Sequence, residues 1–290
     1  AESTIAATFA NQREPDNDRE KITLSVTKDW NDWDNALGLR PDAETFAEHL
    51  KLYRRTNAPT GGTAILEELV TEVKFSLRND STETNSSWVF DVTDQDGTSL
   101  QLDKNAPNGM PWIYYVKETR TGTIFDFYSG TPQVNLSNGS GTLSNSLKIS
   151  VPFQKQWVDE KGNAINVDFL GLNLKVTFEL QVKGTTDTEW SLASKYSEFT
   201  DELLGKINLS KDSFTQTLGD DEGWTVDDAQ WNTAQSFRDL PRAIQVEGKT
   251  VTLQYRVVET TVQYRASGIQ DEWQTIEISP SGDENPYASF

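Results

Sequence analysis

The sequence predicts an all-β protein built as two tandem β-sandwich domains, and three observations carry that expectation. Apolar and polar residues alternate over short runs bounded by Gly, Asn, Ser and Asp turns, the pattern of half-buried strands. Apolar residues reach only 35%, yet nine Trp, eight Tyr and 13 Phe supply bulky core material. That balance suits aromatic-rich sandwiches better than helical bundles. Finally, one set of features recurs in the same order along 290 residues, a length that allows about two domains at roughly 150 residues each.

Residues 1–20 are polar and lack the basic and apolar regions of a signal peptide, so they read as an extension of the first domain. The C-terminal ENPYASF carries no visible anchor or sorting signal, and a piece of a longer protein is the expectation. In KITLSVTKDW, period two puts Ile22, Leu24, Val26, Lys28 and Trp30 on one face. AETFAEHLKLYRR reads as a helical turn followed by the strand LKLYRR, and SSWVFDVTD as an aromatic strand around Trp88. After the Pro-containing turn KNAPNGMP, WIYYVKET aligns Tyr114, Val116 and Glu118. TLSNSLK then aligns Leu143, Asn145 and Leu147, so Asn145 points inward among leucines.

The pattern restarts near Ser146, giving domains of 1–146 and 147–290 with almost no linker. LKISVPFQKQW places Leu147, Ile149, Val151, Phe153, Lys155 and Trp157 on one face. Pro152 on the other face marks an edge strand or one that switches sheets. LNLKVTFELQV alternates like a strand. Between Gly184 and Asp239 the second copy holds extra residues, including SKYSEFTDELLGK, read as one short helix through Phe199, Leu203 and Leu204. Trp224 is matched to Trp88. The Pro turn DLPRAIQVEGK leads into LQYRVVET, with Tyr255, Val257 and Glu259 aligned. Lysine and glutamate lie 90 residues apart in the first copy and 104 in the second, a 14-residue difference.

Charge and composition exclude several functions. With 26 Lys plus Arg against 45 Asp plus Glu, the net charge of −19 disfavours phosphate backbones and anionic membrane surfaces. The absence of cysteine excludes disulfides, thiolate zinc sites and cysteine nucleophiles, and a single histidine, His49, excludes multi-histidine metal sites. Carboxylate pairs for glycoside hydrolysis can be picked at will from 45 acids, so no pick is informative.

The informative feature is a lysine and a glutamate on apolar strand faces in each copy. A lysine there is costly unless paired or neutral, and burial lowers a lysine pKa while raising that of a glutamate. Two readings stand at this point: a buried ion pair, or a reactive site completed by an inward amide, for which Asn145 qualifies.

The order VTKDW, NALGLRPD, a Pro turn before YYVKE, and TLSNS, repeated as FQKQW, DEKGN, DLPRAIQVEGKTVTLQYRVVE and ENPY, resembles the B-type repeat (CnaB) domains of Gram-positive collagen adhesins and pilins. The resemblance spans about Lys21 to Tyr287 and implies Ig-like sandwiches of the inverse-Ig type, the second with a longer, partly helical insertion. It implies that Lys28 attacks Asn145 with Glu118 as catalytic acid/base, forming an intramolecular isopeptide bond. In the second copy the implied residues are Lys155, Glu259 and Asn285, with Asp283 a competing acceptor on the same strand face. A desolvated neutral amine is nucleophilic, a neighbouring acid can shuttle protons, and positioning contributes about 7–11 kcal/mol. Trp30 and Tyr114 are expected to exclude water.

On this resemblance the chain is a structural stalk of a cell-wall-attached extracellular protein, with neither cofactor nor turnover, joined to further domains of the same protein. The alternative is an adhesin module whose second-domain insertion binds host matrix protein or glycan. Trp190, Tyr196, Phe214, Trp224 and Trp231 are its candidate surface, with core packing the competing reading. Asp32, Asp34 and Asn35 form a weak calcium candidate against the plainer reading of a solvated turn; Asp94, Asp96 and Gly97 resemble a calcium loop but lack its final glutamate. His49 has no motif partner.

Overall fold

A computed structural model describes residues 20–123, 125–158, 161, 163, 171–219, 221–225, 228–266 and 272–277. The expected acceptors Asn285 and Asp283 lie outside the described residues. The fold is all-β, with sheets packed face to face and two short α-helices among the described residues.

In the first half, β1 (Ser25–Asn31) is followed by α1 (Ala43–Glu48), β2 (Leu50–Arg55), β3 (Lys74–Leu77), β4 (Ser87–Thr93), β5 (Ile113–Glu118), β6 (Gln133–Asn135) and β7 (Ser140–Ser146). One sheet runs β3-β4-β1-β7 and ends on the two-residue strand Ser129–Gly130. The facing sheet runs β6-β5-β2 and ends on Glu68–Leu69. β7 pairs parallel with β1, while β4 flanks β1 antiparallel on the other side. Strand β1 is therefore central, and its alternation is the one the sequence predicts: Leu24, Val26, Lys28 and Trp30 are all buried. The helical turn before LKLYRR is α1, where the Asp42 carboxylate accepts the Thr45 N–H at 2.7 Å as N-cap. It drops Phe46 into the core against Trp30, Trp88, Phe90 and Phe125, with ring centroids 5.2–6.2 Å apart.

The second half begins with β8 (Lys148–Phe153) and continues with β9 (Leu172–Gly184), α2 (Asp201–Lys206), β10 (Thr215–Leu218), β11 (Gln235–Pro241), β12 (Ala243–Val246), β13 (Lys249–Ala266) and β14 (Gln274–Glu277). The ladder between β9 and β13 dominates it, flanked by β10, β12 and β14. β8 pairs only with β11 among the described residues, with a bulge between Ile149 and Val151, and Pro152 is exposed. Pro152 offers no N–H to a ladder, which an edge strand tolerates.

Two readings of the insertion need correction. The expected helix is shorter: a 3₁₀ turn at Ala193–Lys195, then α2 opening at Thr200, whose hydroxyl accepts the Leu203 N–H. Phe199 precedes that cap, and both it and Leu204 are buried, the positions of a hydrophobic staple. Trp224 is not the equivalent of Trp88: it forms an isolated bridge to Leu174, whereas Trp88 pairs with Lys28 on a full strand. The strand beside β8 carries Phe237 opposite Val151 instead.

Each strand pairing among the described residues falls within 21–146 or within 148–277. A single residue, Leu147, separates β7 from β8. Its N–H donates to the Asn31 carbonyl at 3.1 Å and its carbonyl accepts the Arg242 N–H at 2.8 Å. Among the described residues no helix is long and apolar enough to cross a membrane.

Candidate functional site

Lys28 lies mid-strand in β1 with Leu143 of β7 opposite on one side and Trp88 of β4 on the other. Asn145 stands two residues further along β7 on the same inward face, opposite Trp30. Glu118 ends β5 in the facing sheet, opposite Leu50. Its two oxygens bridge the sheets: Lys28 Nζ donates to Oε2 at 2.8 Å and Asn145 Nδ2 donates to Oε1 at 2.6 Å. The Lys28 and Glu118 side chains are 0% exposed, and Asn145 is 0% exposed as a residue. The three residues singled out by alternation thus meet in one buried pocket.

The pocket acts on the lysine. Burial pulls the Lys28 amine down to about 8, against the upward pull of Glu118. Rings close around the ammonium, with Trp30 at 4.9 Å and Phe46 at 5.2 Å from Nζ to the centroid. Phe46 takes the place expected of Tyr114, whose hydroxyl instead donates to the Asp103 carbonyl at 2.7 Å. Moving one proton across the Lys28–Glu118 contact turns the ion pair into a free amine and a carboxylic acid.

Sequence reasoning missed a fourth member. Arg120 Nη1 donates to Asn145 Oδ1 at 3.3 Å, and its Nε lies 3.5 Å from Glu118 Oε1. Its guanidinium is held by the Tyr128 carbonyl at 3.1 Å and the Gly130 carbonyl at 2.7 Å. Arg120 continues the alternation of Tyr114, Val116 and Glu118 one step past the end of β5, the signal that could have found it. Gly130 pairs with Asn145, and a Cβ there would sit 1.8 Å from the Ser144 carbonyl oxygen. Only glycine lets that edge approach the β7 backbone.

In the second half Lys155 Nζ donates to Glu259 Oε2 at 2.7 Å, with Trp157 4.3 Å from the amine. The side chains are 15% and 20% exposed. β8 stops at Phe153, so Lys155 lies beyond the strand, and Glu259 sits opposite Phe178 beside a bulge at Thr260 in β13.

The calcium candidate is corrected by its partners. Arg40 donates to both Asp32 oxygens, at 3.0 and 2.5 Å, and the Tyr128 hydroxyl donates to Oδ2 at 3.0 Å. Burial, then the Asp32 charge, raises the Tyr128 pKa, which keeps that hydroxyl a donor. Asp32 is a buried structural anion, while Asp34 is exposed in a left-handed turn (φ 54°). Asp94 Oδ1 accepts the Asp96 and Thr98 N–H groups, closing its own turn. Among the described residues no group of three or more His, Cys, Asp or Glu could hold a metal ion. His49 is half-buried at the end of α1, edge-on to Phe125. Tyr196, Phe214 and Trp231 are buried, Trp224 packs on Trp231 at 5.0 Å, and Trp190 lies under Arg256. Tyr196, Phe214 and Trp231 thus belong to the core of the enlarged half and Trp224 packs against it, while Trp190 is half-buried outside it.

No protein-family model matches the chain, and no curated protein sequence does. Two solved structures show weak likeness. A leucine-rich repeat protein from Bacteroides thetaiotaomicron is 11% identical with a TM-score of 0.20, over 89% of this chain and 24% of that one. A streptococcal ancillary pilin is 8% identical with a TM-score of 0.16, over 90% of this chain and 96% of that one. The chain therefore spans about a quarter of the first protein's length. Scores this low carry no argument about fold or function.

Proposed function

We propose that the chain is a self-cross-linking structural section of a cell-wall-attached bacterial surface protein of the collagen-adhesin B-type kind. Lys28 and Asn145 are joined by an intramolecular amide bond, and Glu118 is the acid/base. The observation that carries this reading is the bridge made by Glu118, one oxygen on the amine and the other on the amide nitrogen. An ion pair alone needs no asparagine, and a buried asparagine is costly unless it is given a partner. The chemistry balances as primary amine plus primary amide giving secondary amide plus ammonia. Lys28 Nζ adds to Asn145 Cγ, Glu118 takes the amine proton, passes it to Nδ2, and the C–Nδ2 bond breaks.

The purpose is mechanical. A bond from β1 to β7 closes most of the first half into one loop, and closing a loop of about 100 residues stabilises by about 4.7 kcal/mol in the chain-entropy model used for disulfides. Lys155 and Glu259 are proposed to do the same with Asn285, or with Asp283 by loss of water. The chain then acts as a protease-resistant spacer between further domains of its parent protein, without catalytic turnover.

Intact mass of the denatured protein tests this directly. The expected result is a chain lighter by one ammonia for the first half and by a second loss for the other. Glu118→Ala should fold yet regain the ammonia of the first half. A full, unmodified mass in the parent chain sinks the proposal.

A further inference from the structure

We infer that Arg120 is a second catalytic residue of the Lys28–Asn145 site and the one that selects an amide, rather than a carboxylate, as acceptor. The inference rests on the cross-linking reading above. Glu118 faces the amide nitrogen, so it is placed to serve the leaving group and leaves the amide oxygen to another donor. That donor is Arg120 Nη1, 3.3 Å from Asn145 Oδ1. When Lys28 Nζ bonds to Cγ, the carbonyl π electrons move onto Oδ1, and the oxyanion forms against a fixed cation. The electrons return as C–Nδ2 breaks and ammonia leaves.

The guanidinium is built into position. The Arg120 side chain is 13% exposed, and two backbone carbonyls, Tyr128 and Gly130, aim its fork inward. Preorganised donors of this kind act where charge develops, and removing one costs about 10²–10³ in rate. The same cation explains acceptor choice. A carboxylate in the place of Asn145 would pair with Arg120 and stay ionised, and an ionised carboxylate is a poor electrophile. An amide takes the hydrogen bond without acquiring a charge.

The test follows bond formation in freshly translated full-length chain by intact mass and by mobility on denaturing gels. Arg120→Met should slow ammonia loss about a hundredfold, and Arg120→Lys should recover part of that rate. The thermal midpoint of Arg120→Met, read before it reacts, should match that of the uncross-linked Asn145→Ala chain, which separates slow chemistry from a lost fold. Asn145→Asp should remain unreacted, whereas Asn145→Asp combined with Arg120→Met should lose one water. Reaction of Arg120→Met at the parent rate, or water loss by Asn145→Asp with Arg120 present, would overturn the role of Arg120 while leaving the cross-link standing. Failure of the parent chain to lose ammonia would instead overturn the cross-linking reading itself.

Discussion

The two lysine–glutamate pairs share a sequence pattern and a hydrogen-bond length, yet they sit in different surroundings. Lys28 is mid-strand, flanked by β4 and β7, and both members of its pair are fully buried. Lys155 lies past the end of a strand with one partner among the described residues, and both members of its pair keep some contact with solvent. Where Arg120 follows Glu118 by two residues, Thr261 follows Glu259, paired across the ladder with Thr177. The contrast teaches that strands closing over a lysine on both sides remove it from water, whereas a pair of nearly the same length beyond a strand end keeps part of its hydration among the described residues.

The largest expected effect is on the sealed pair. Relative to Asn145→Ala, which also lacks the cross-link, Lys28→Ala should cost about a further 3–5 kcal/mol in urea unfolding, because Glu118 keeps a buried charge without its main partner. A cost near that of an exposed pair would break the comparison.

Acidity gives the next effect. The buried amine titrates at about 8 instead of its ordinary 10.5, burial being the main cause. Only the neutral amine attacks, so the fraction ready to react rises about tenfold per pH unit below that value and levels off above it. The rate of cross-linking in newly translated chain, sampled on denaturing gels between pH 6 and 9 (roughly two units below and one above the amine's own value), should follow that curve. A flat profile across the range would show that loss of the Lys28 proton to solvent is not part of the slow step.

The smallest effect is expected in the other half. Lys155→Ala should cost about 0.2–1 kcal/mol if measured in a chain whose Asn285 and Asp283 are also replaced, since a partly exposed pair contributes little. A loss comparable to that of Lys28→Ala would mean that the second pair is sealed by residues beyond those described, and the contrast drawn above would fail.

Much of the site was legible beforehand. Strict alternation put Lys28, Glu118 and Asn145 on inward faces, because the side-chain period of a strand is two whatever its partner. The same rule covers Arg120, but the strand ends at Glu118 and the turn from Arg120 to Thr123 follows at once, so the alternation has no further residue to confirm it. Asp32 departs from the sequence expectation for a different reason. Acidic residues grouped in a turn look like cation ligands, and nothing local reveals that Arg40, eight positions on, folds back to occupy both oxygens. Trp224 was misplaced because an aromatic residue between turns looks the same on a ladder as beside one.

By itself the sequence determined which side chains face inward, where the helical turn precedes β2, and that one lysine–glutamate pattern occurs twice. Those are local properties, set by backbone geometry and by the preference of apolar residues for one face. Tertiary structure alone decided that β7 lies parallel beside β1, that Leu143 and not Asn145 sits directly opposite Lys28, and that Glu118 reaches both from the facing sheet. It also decided that Lys28 is fully enclosed, while Lys155 is partly exposed among the described residues. Pairing and enclosure join residues far apart in sequence, 90 positions from Lys28 to Glu118 and 104 from Lys155 to Glu259, and strand periodicity fixes the face of each residue without naming the strand that will cover it.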